Sequence, residues 1–395
     1  MKLPLVLLAC WSIGSLCHGA IINAKPGDDL GEVVNKLRPG DELVLADGNY
    51  ANVSIDFGRK WNVTVRAANV TPLKIERVDG QPIAKPASGV ILSAKGKPFV
   101  FRGGTGIKLI GLTIDGCSNT LQQGAIQCDS DWTLQDVVVQ RCDTVGLAIT
   151  GNENHRVKNV TWTRVVTQDN GYIGMGGGFA QHVRVSDCGS FRNNRGWSHN
   201  AFADQGFEKD GKWYVHAQWE AGGGKFVHSD DVEVVRHWAE GNNGPGLWLD
   251  WNNTNIVVRD SMFLNQVWVE FDYDAMGIVL EINTGPTLIE NCLFQGNESA
   301  MNVAEEHKAT IRNCHIDDPI GTRNISEGGS LRNGGVQDIT ITDNMFYGDA
   351  KVYFWDNMDA AYRKKNRVVT EPNTMKAQLP VKWKVEGLHA RDRGQ

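Results

Sequence analysis

Three ionisable residues, Lys225, Asp250 and Glu281, close three similar short segments: Ala221-Gly-Gly-Gly-Lys225, Gly246-Leu-Trp-Leu-Asp250 and Gly277-Ile-Val-Leu-Glu281. A strand presents alternate residues to opposite faces. Leu247/Leu249 and Ile278/Leu280 then share a core face, as do Leu147/Ile149 in Gly146-Leu-Ala-Ile-Thr150, while Asp250 and Glu281 point outward. Each segment precedes its next repeat by nearly the same distance. That spacing puts Lys225 one rung from Asp250 and Asp250 one rung from Glu281, roughly 5 Å apart. Two carboxylates that close disfavour joint ionisation, and a lysine or a bound cation reverses this. Such a stack can serve as a general acid/base pair, a Ca²⁺ site, or a base with charge neutralisers. The alternative is a solvated ion ladder on a stable sheet. Glu220 stands close enough in sequence to join the group.

Other residue types add to this stack. Glu270, Asp272 and Asp274 alternate in Val-Trp-Val-Glu-Phe-Asp-Tyr-Asp, so an extended segment would turn all three one way. Hard oxygen ligands of that kind suit Ca²⁺, and a plain acidic loop fits equally. Tryptophans concentrate nearby, with Trp213 and Trp219 in or beside a long insertion and Trp248 and Trp251 in the next coil. Aromatic faces stack on sugar rings, and long loops carry function. His228 and His237 read as structural.

The elements that must position these residues repeat. Nine times the chain runs apolar, any, apolar, any, any, then a small or polar marker. The markers are Cys117, Cys142, Val165, Cys188, His237, Ser261, Cys292, Cys314 and Asn344, spaced 25, 23, 23, 49, 24, 31, 22 and 30 residues apart. A period in the low twenties with strand-type alternation predicts coils of short strands joined by Gly/Asn turns. One coil cannot bury its apolar face alone, so coils stack and share a core. The fold expected is all-β: a right-handed parallel β-helix, with the amphipathic segment 30–37 as an N-terminal capping helix over the open end. The 49-residue interval is two coils, or one coil with an insertion near 197–218.

Residues 1–19 read as a signal peptide, with Lys2 before the apolar stretch Leu3 to Leu16, which is too short to span a bilayer. The β-helix domain follows over 20–350, and residues 351–395 form a tail packing on or capping the solenoid. The expectation is a secreted, extracellular or periplasmic monomer. Export permits disulfides. Stacking makes Cys117/Cys142 and Cys292/Cys314 neighbours, either as free buried thiols or as bonded pairs. Seven Asn-x-Ser/Thr sequons are present. A net charge of −6 offers no basic surface for nucleic acid, and an acidic polysaccharide would need a local basic groove.

The coil pattern, the entry helix and Pro39-Gly-Asp-Glu-Leu-Val-Leu-Ala-Asp-Gly-Asn-Tyr50 together resemble the pectate-lyase-like superfamily over roughly residues 20–350. The three segments ending in Lys225, Asp250 and Glu281 look like a bacterial subgroup of right-handed β-helix-repeat proteins. The resemblance implies β-elimination of an acidic, uronate-containing polysaccharide. Lys225 would be the base, and Asp250 and Glu281 metal or orienting groups, with Ca²⁺ as possible cofactor. Two alternatives stand beside it. One is a glycoside hydrolase using Asp250 and Glu281 with Glu220 nearby; the other is a non-catalytic polysaccharide-binding or surface protein.

Overall fold

The computed structural model describes residues 19–198, 205–216, 220–267, 275–323, 326–327, 330–331, 334–354 and 358–378. Residues 1–18 of the segment read as a signal peptide, Trp219, and the acidic run Glu270, Asp272 and Asp274 lie outside them.

The chain winds into a right-handed parallel β-helix. Each coil adds one strand to an eleven-stranded sheet and further strands to a 22-stranded sheet that wraps the other sides. Register follows the repeat from Val160 onward: Trp162 pairs with Val185, Val185 with Val234, and Val258 with Ile289. One coil earlier it is offset by five residues, with Val137 opposite Val165 and Val139 opposite Thr167. Because Val183 pairs directly with Val232, the 49-residue interval is one coil carrying an insertion. Part of that insertion is an antiparallel hairpin, Gly206–Lys209 against Lys212–Val215.

The residue before each marker explains why the pattern repeats. Gly116, Arg141, Arg164, Asp187, Arg236, Asp260, Asn291, Asn313 and Asp343 all adopt positive φ. One left-handed residue bends the strand through a corner, and the marker after it points into the core. Cys117, Cys142, Val165, Cys188, Ser261, Cys292 and Cys314 are at most 1% exposed. His237 is buried as well, against Ser190 and Phe263. All six described cysteines are free thiols.

A second ladder stands five residues after the marker. Asn170, Asn193, Asn242, Gln266 and Asn297 occupy it in successive coils, and each of the first four donates its backbone N–H to the next side-chain oxygen. Their amides also close onto carbonyls of the preceding turn. A buried amide without partners would cost about 1–3 kcal/mol, so the ladder supports itself only while unbroken.

A short helix, Leu30–Lys36, starts on an Asp29 N-cap and sends Leu30 and Val34 into the core. Strand pairing continues past residue 350, as Val352–Phe354 extends the eleven-stranded sheet and Thr374–Lys376 the larger one. No helix among the described residues is long and apolar enough to cross a membrane.

Candidate active-site groove

The outer face of the eleven-stranded sheet carries the site. One outward column runs Ala148, Gly176, Lys225, Trp248, Val279; the next runs Thr150, Gly178, Val227, Asp250, Glu281. Small residues in the earlier coils leave a trough of about 430 Å³, and Glu220 and Lys225 stand in its lining. Gly176 is required there, because a Cβ would lie 1.9 Å from the Lys225 carbonyl oxygen.

Asp250 and Glu281 pair one rung apart, as the spacing predicts. Lys225 does not pair with Asp250. Its partner is Trp248, and Val227 faces Asp250, a two-residue slip from the expected register. One residue of the slip lies in the spacing, since Lys225 stands seven residues before Val232 where Asp250 and Glu281 stand six before Ile256 and Thr287; the other is the turn after Val227, one residue shorter than those after Asp250 and Glu281. A slip of two preserves the face, and the long side chain closes the gap. Lys225 Nζ donates to Asp250 Oδ2 and to Glu220 Oε1, both at 2.8 Å. It also stands 4.1 Å from the Trp248 ring centre, a cation–π contact. Trp248 Nε1 in turn donates to Glu281 Oε2 at 3.1 Å.

This ladder is not solvated. Lys225, Trp248, Asp250 and Glu281 are all under 9% exposed. Asp250 Oδ1 is buried without a hydrogen-bond partner. Glu220, with a third of its side chain exposed, is the carboxylate that opens to the trough. Ion pairs this enclosed are strongly geometry-dependent, since removing one partner strands the other.

The tryptophans separate into different roles. Trp248 is buried beneath Lys225 and holds the ladder, so it is not an open sugar platform. Trp251 is 48% exposed at a left-handed corner. It lies beside His228, which stacks on Phe179 at 4.6 Å, and Phe179 lines the trough. Burial lowers the His228 pKa below its ordinary value. Trp213 pairs with Trp197 by two backbone hydrogen bonds at the base of the insertion hairpin and is half-buried there.

The calcium expectation on Glu270, Asp272 and Asp274 falls outside the described residues. Among the described residues, no three His, Cys, Asp or Glu side chains converge as a metal site. At the ladder, the Lys225 ammonium occupies the space between Glu220 and Asp250 that a cation would take.

Two buried acids escaped the sequence reading. Glu306 accepts from Asn283 Nδ2 at 2.8 Å and from Thr287 Oγ1 at 3.0 Å, and burial pushes its pKa up to about 7. Asp318 accepts from Asn297 at 2.8 Å, and burial raises it to about 6. Each ends an asparagine ladder: Glu306 follows Asn253 and Asn283, and Asp318 follows Asn297.

Residues 124–316 match the family model described as the right handed beta helix region. Among solved structures, XylC in complex with xylose superposes with a TM-score of 0.55 at 10% identity, over 89% of this chain and 83% of that one. The alginate lyase AlyF-OU02 gives 0.50 at 13% identity, over 93% and 88%. No curated protein matches the sequence. The chain therefore has a right-handed parallel β-helix fold, shared with these two proteins. Of the two, AlyF-OU02 is an alginate lyase.

Proposed function

We propose that this protein is a polysaccharide lyase that cleaves a uronate-containing chain lying in the trough, with Lys225 and Glu220 as the reacting pair. One observation carries the reading: a buried lysine at the end of a glycine-floored trough, bridged to one enclosed carboxylate and one that opens to the trough. The fold shared with an alginate lyase supports it.

The proton account closes on these two residues. Lys225 Nζ passes a proton to Glu220 across 2.8 Å, and its lone pair then takes the hydrogen from the carbon beside the uronate carboxylate. The C–H electrons form the new C=C bond as the glycosidic C–O bond breaks. Protonated Glu220 gives its proton to the leaving oxygen, which restores the starting state. General acid–base transfer of this kind contributes roughly 10²- to 10⁴-fold. Asp250 and Trp248 fix the ammonium from behind, and Glu281 fixes Trp248. No step is routed through calcium.

Hydrolysis is the second reading. Glu220 and Asp250 each reach the same Nζ at 2.8 Å, which brings two carboxylates into the close range of a retaining pair. Ultraviolet absorbance of unsaturated uronate ends tests the choice. A rise on pectate, alginate or a glycosaminoglycan, with or without added Ca²⁺, supports elimination. New reducing ends without that absorbance support hydrolysis instead.

A further inference from the structure

A second cleft, of about 790 Å³, opens on the other side of the insertion. It lies between the insertion hairpin and an earlier one, Lys74–Val78 against Gln81–Lys85. Its charge is opposite to that of the whole chain. Arg77, Arg192, Arg195 and Lys212 line it against only Asp169 and Glu240, a net of two positive charges.

Two of the four cations are already matched. Arg77 forks onto Glu240 at 3.0 and 2.7 Å, and Arg192 onto Asp169 at 2.9 and 3.0 Å. Those pairs build the wall. The other two are not matched. Neither Arg195 nor Lys212 has a carboxylate within ion-pair distance among the described residues, and Arg195 Nε is buried without a hydrogen-bond partner. Arg195 is held in place by its guanidinium lying 4.3 Å over the Trp197 ring. Lys212 and Tyr214 are drawn close by Gly196, where a Cβ would meet both within 2.8 Å.

A fixed guanidinium, an adjacent ammonium and a phenol around one open volume present donors without acceptors. Guanidinium geometry suits planar or tetrahedral oxyanions. We infer that this cleft is a binding site for the carboxylate or sulfate groups of an acidic oligosaccharide, separate from the trough that holds Lys225. It does not depend on cleavage, so it stands whether or not the lyase reading does.

The experiment is calorimetric titration of the full chain with defined hexasaccharides: oligogalacturonate, oligoguluronate, a heparin hexamer and neutral xylohexaose. Three variants are compared with the parent: Lys212→Gln, Arg195→Gln/Lys212→Gln and Lys225→Met. Lys212 is exposed, so its replacement leaves folding intact, as thermal melting checks. The site predicts that acidic hexamers bind and xylohexaose does not. Lys212→Gln should weaken binding severalfold and the double variant at least tenfold, with heat signal retained in Lys225→Met. Preference among the acidic ligands tells carboxylate from sulfate. Unchanged affinity in Lys212→Gln, or equal binding of xylohexaose, would overturn the inference.

Discussion

Lys225 Nζ stands 2.8 Å from Asp250 Oδ2, although their backbones are out of register by two residues. The lysine reaches diagonally along the sheet face, over Trp248, to find its partner. Position and charge are thereby tied together: among the described residues Lys225 is the one ion-pair partner of Asp250, while Lys225 also reaches Glu220.

Stability and activity should come apart at this pair. Lys225→Met leaves Asp250 buried and unpaired, which costs about 3–5 kcal/mol, and it removes the proposed base. Adding Asp250→Asn neutralises the stranded carboxylate. The double variant should recover most of the lost stability in chemical denaturation while activity stays at the level of Lys225→Met. Recovery of activity together with stability would show that Lys225 serves only the fold.

Trp251 gives a different pattern. Being half exposed, it carries little of the core, so Trp251→Ala should melt within about a degree of the parent. Loss of a sugar-stacking face is worth roughly 0.5–1.5 kcal/mol. KM should rise about two- to tenfold with kcat unchanged. A large fall in melting temperature would mark it as structural.

Glu306 makes stability depend on pH. Its carboxyl sits at about 7 in the folded chain against an ordinary 4.5. A raised acid favours the folded state while protonated. That contribution is complete below about pH 4.5 and is lost as pH rises through 7. The span corresponds to about 3 kcal/mol. Glu306→Gln keeps an acceptor for Asn283 and a group for Thr287, so it should raise stability at pH 8 and flatten the profile between pH 5 and 8. Melting curves across that range check it; a profile unchanged by the substitution would contradict it.

The cysteines should be inert in the native state. Burial pushes the Cys117 and Cys188 thiols up to about 12 and Cys142 and Cys292 well above their ordinary value. Thiolates are the reactive form. Iodoacetamide should label none of the six described cysteines in native protein and all of them in urea, by mass spectrometry. A reducing agent should leave the melting temperature unchanged.

Much of this architecture was legible in the sequence for a simple reason. Alternation reports which face a residue takes, so Lys225, Asp250 and Glu281 could be placed on one surface and Cys142 or Cys188 inside. Register was less legible, because it depends on turn length. The turn after Val227 is one residue short, and no apolar pattern reports that. Burial of the ladder was illegible too: Trp248 reads as a surface aromatic until the indole is seen closing on Glu281. The asparagine ladder was present as a five-residue offset from the markers. It was missed because polar residues after a strand read as turns, whereas here each amide is buried and bonded to the next coil. The left-handed residue before each marker was likewise visible as Asp, Asn, Arg or Gly, types whose meaning appears only once the corner is drawn.

The most direct test of the central claim follows unsaturated ends by ultraviolet absorbance, with wild type and Lys225→Met side by side on pectate, alginate and glycosaminoglycans. The account predicts that absorbance rises with wild type on at least one of these and falls at least a hundredfold in rate with the variant. Reducing ends released without absorbance, or equal rates from both proteins, would contradict it.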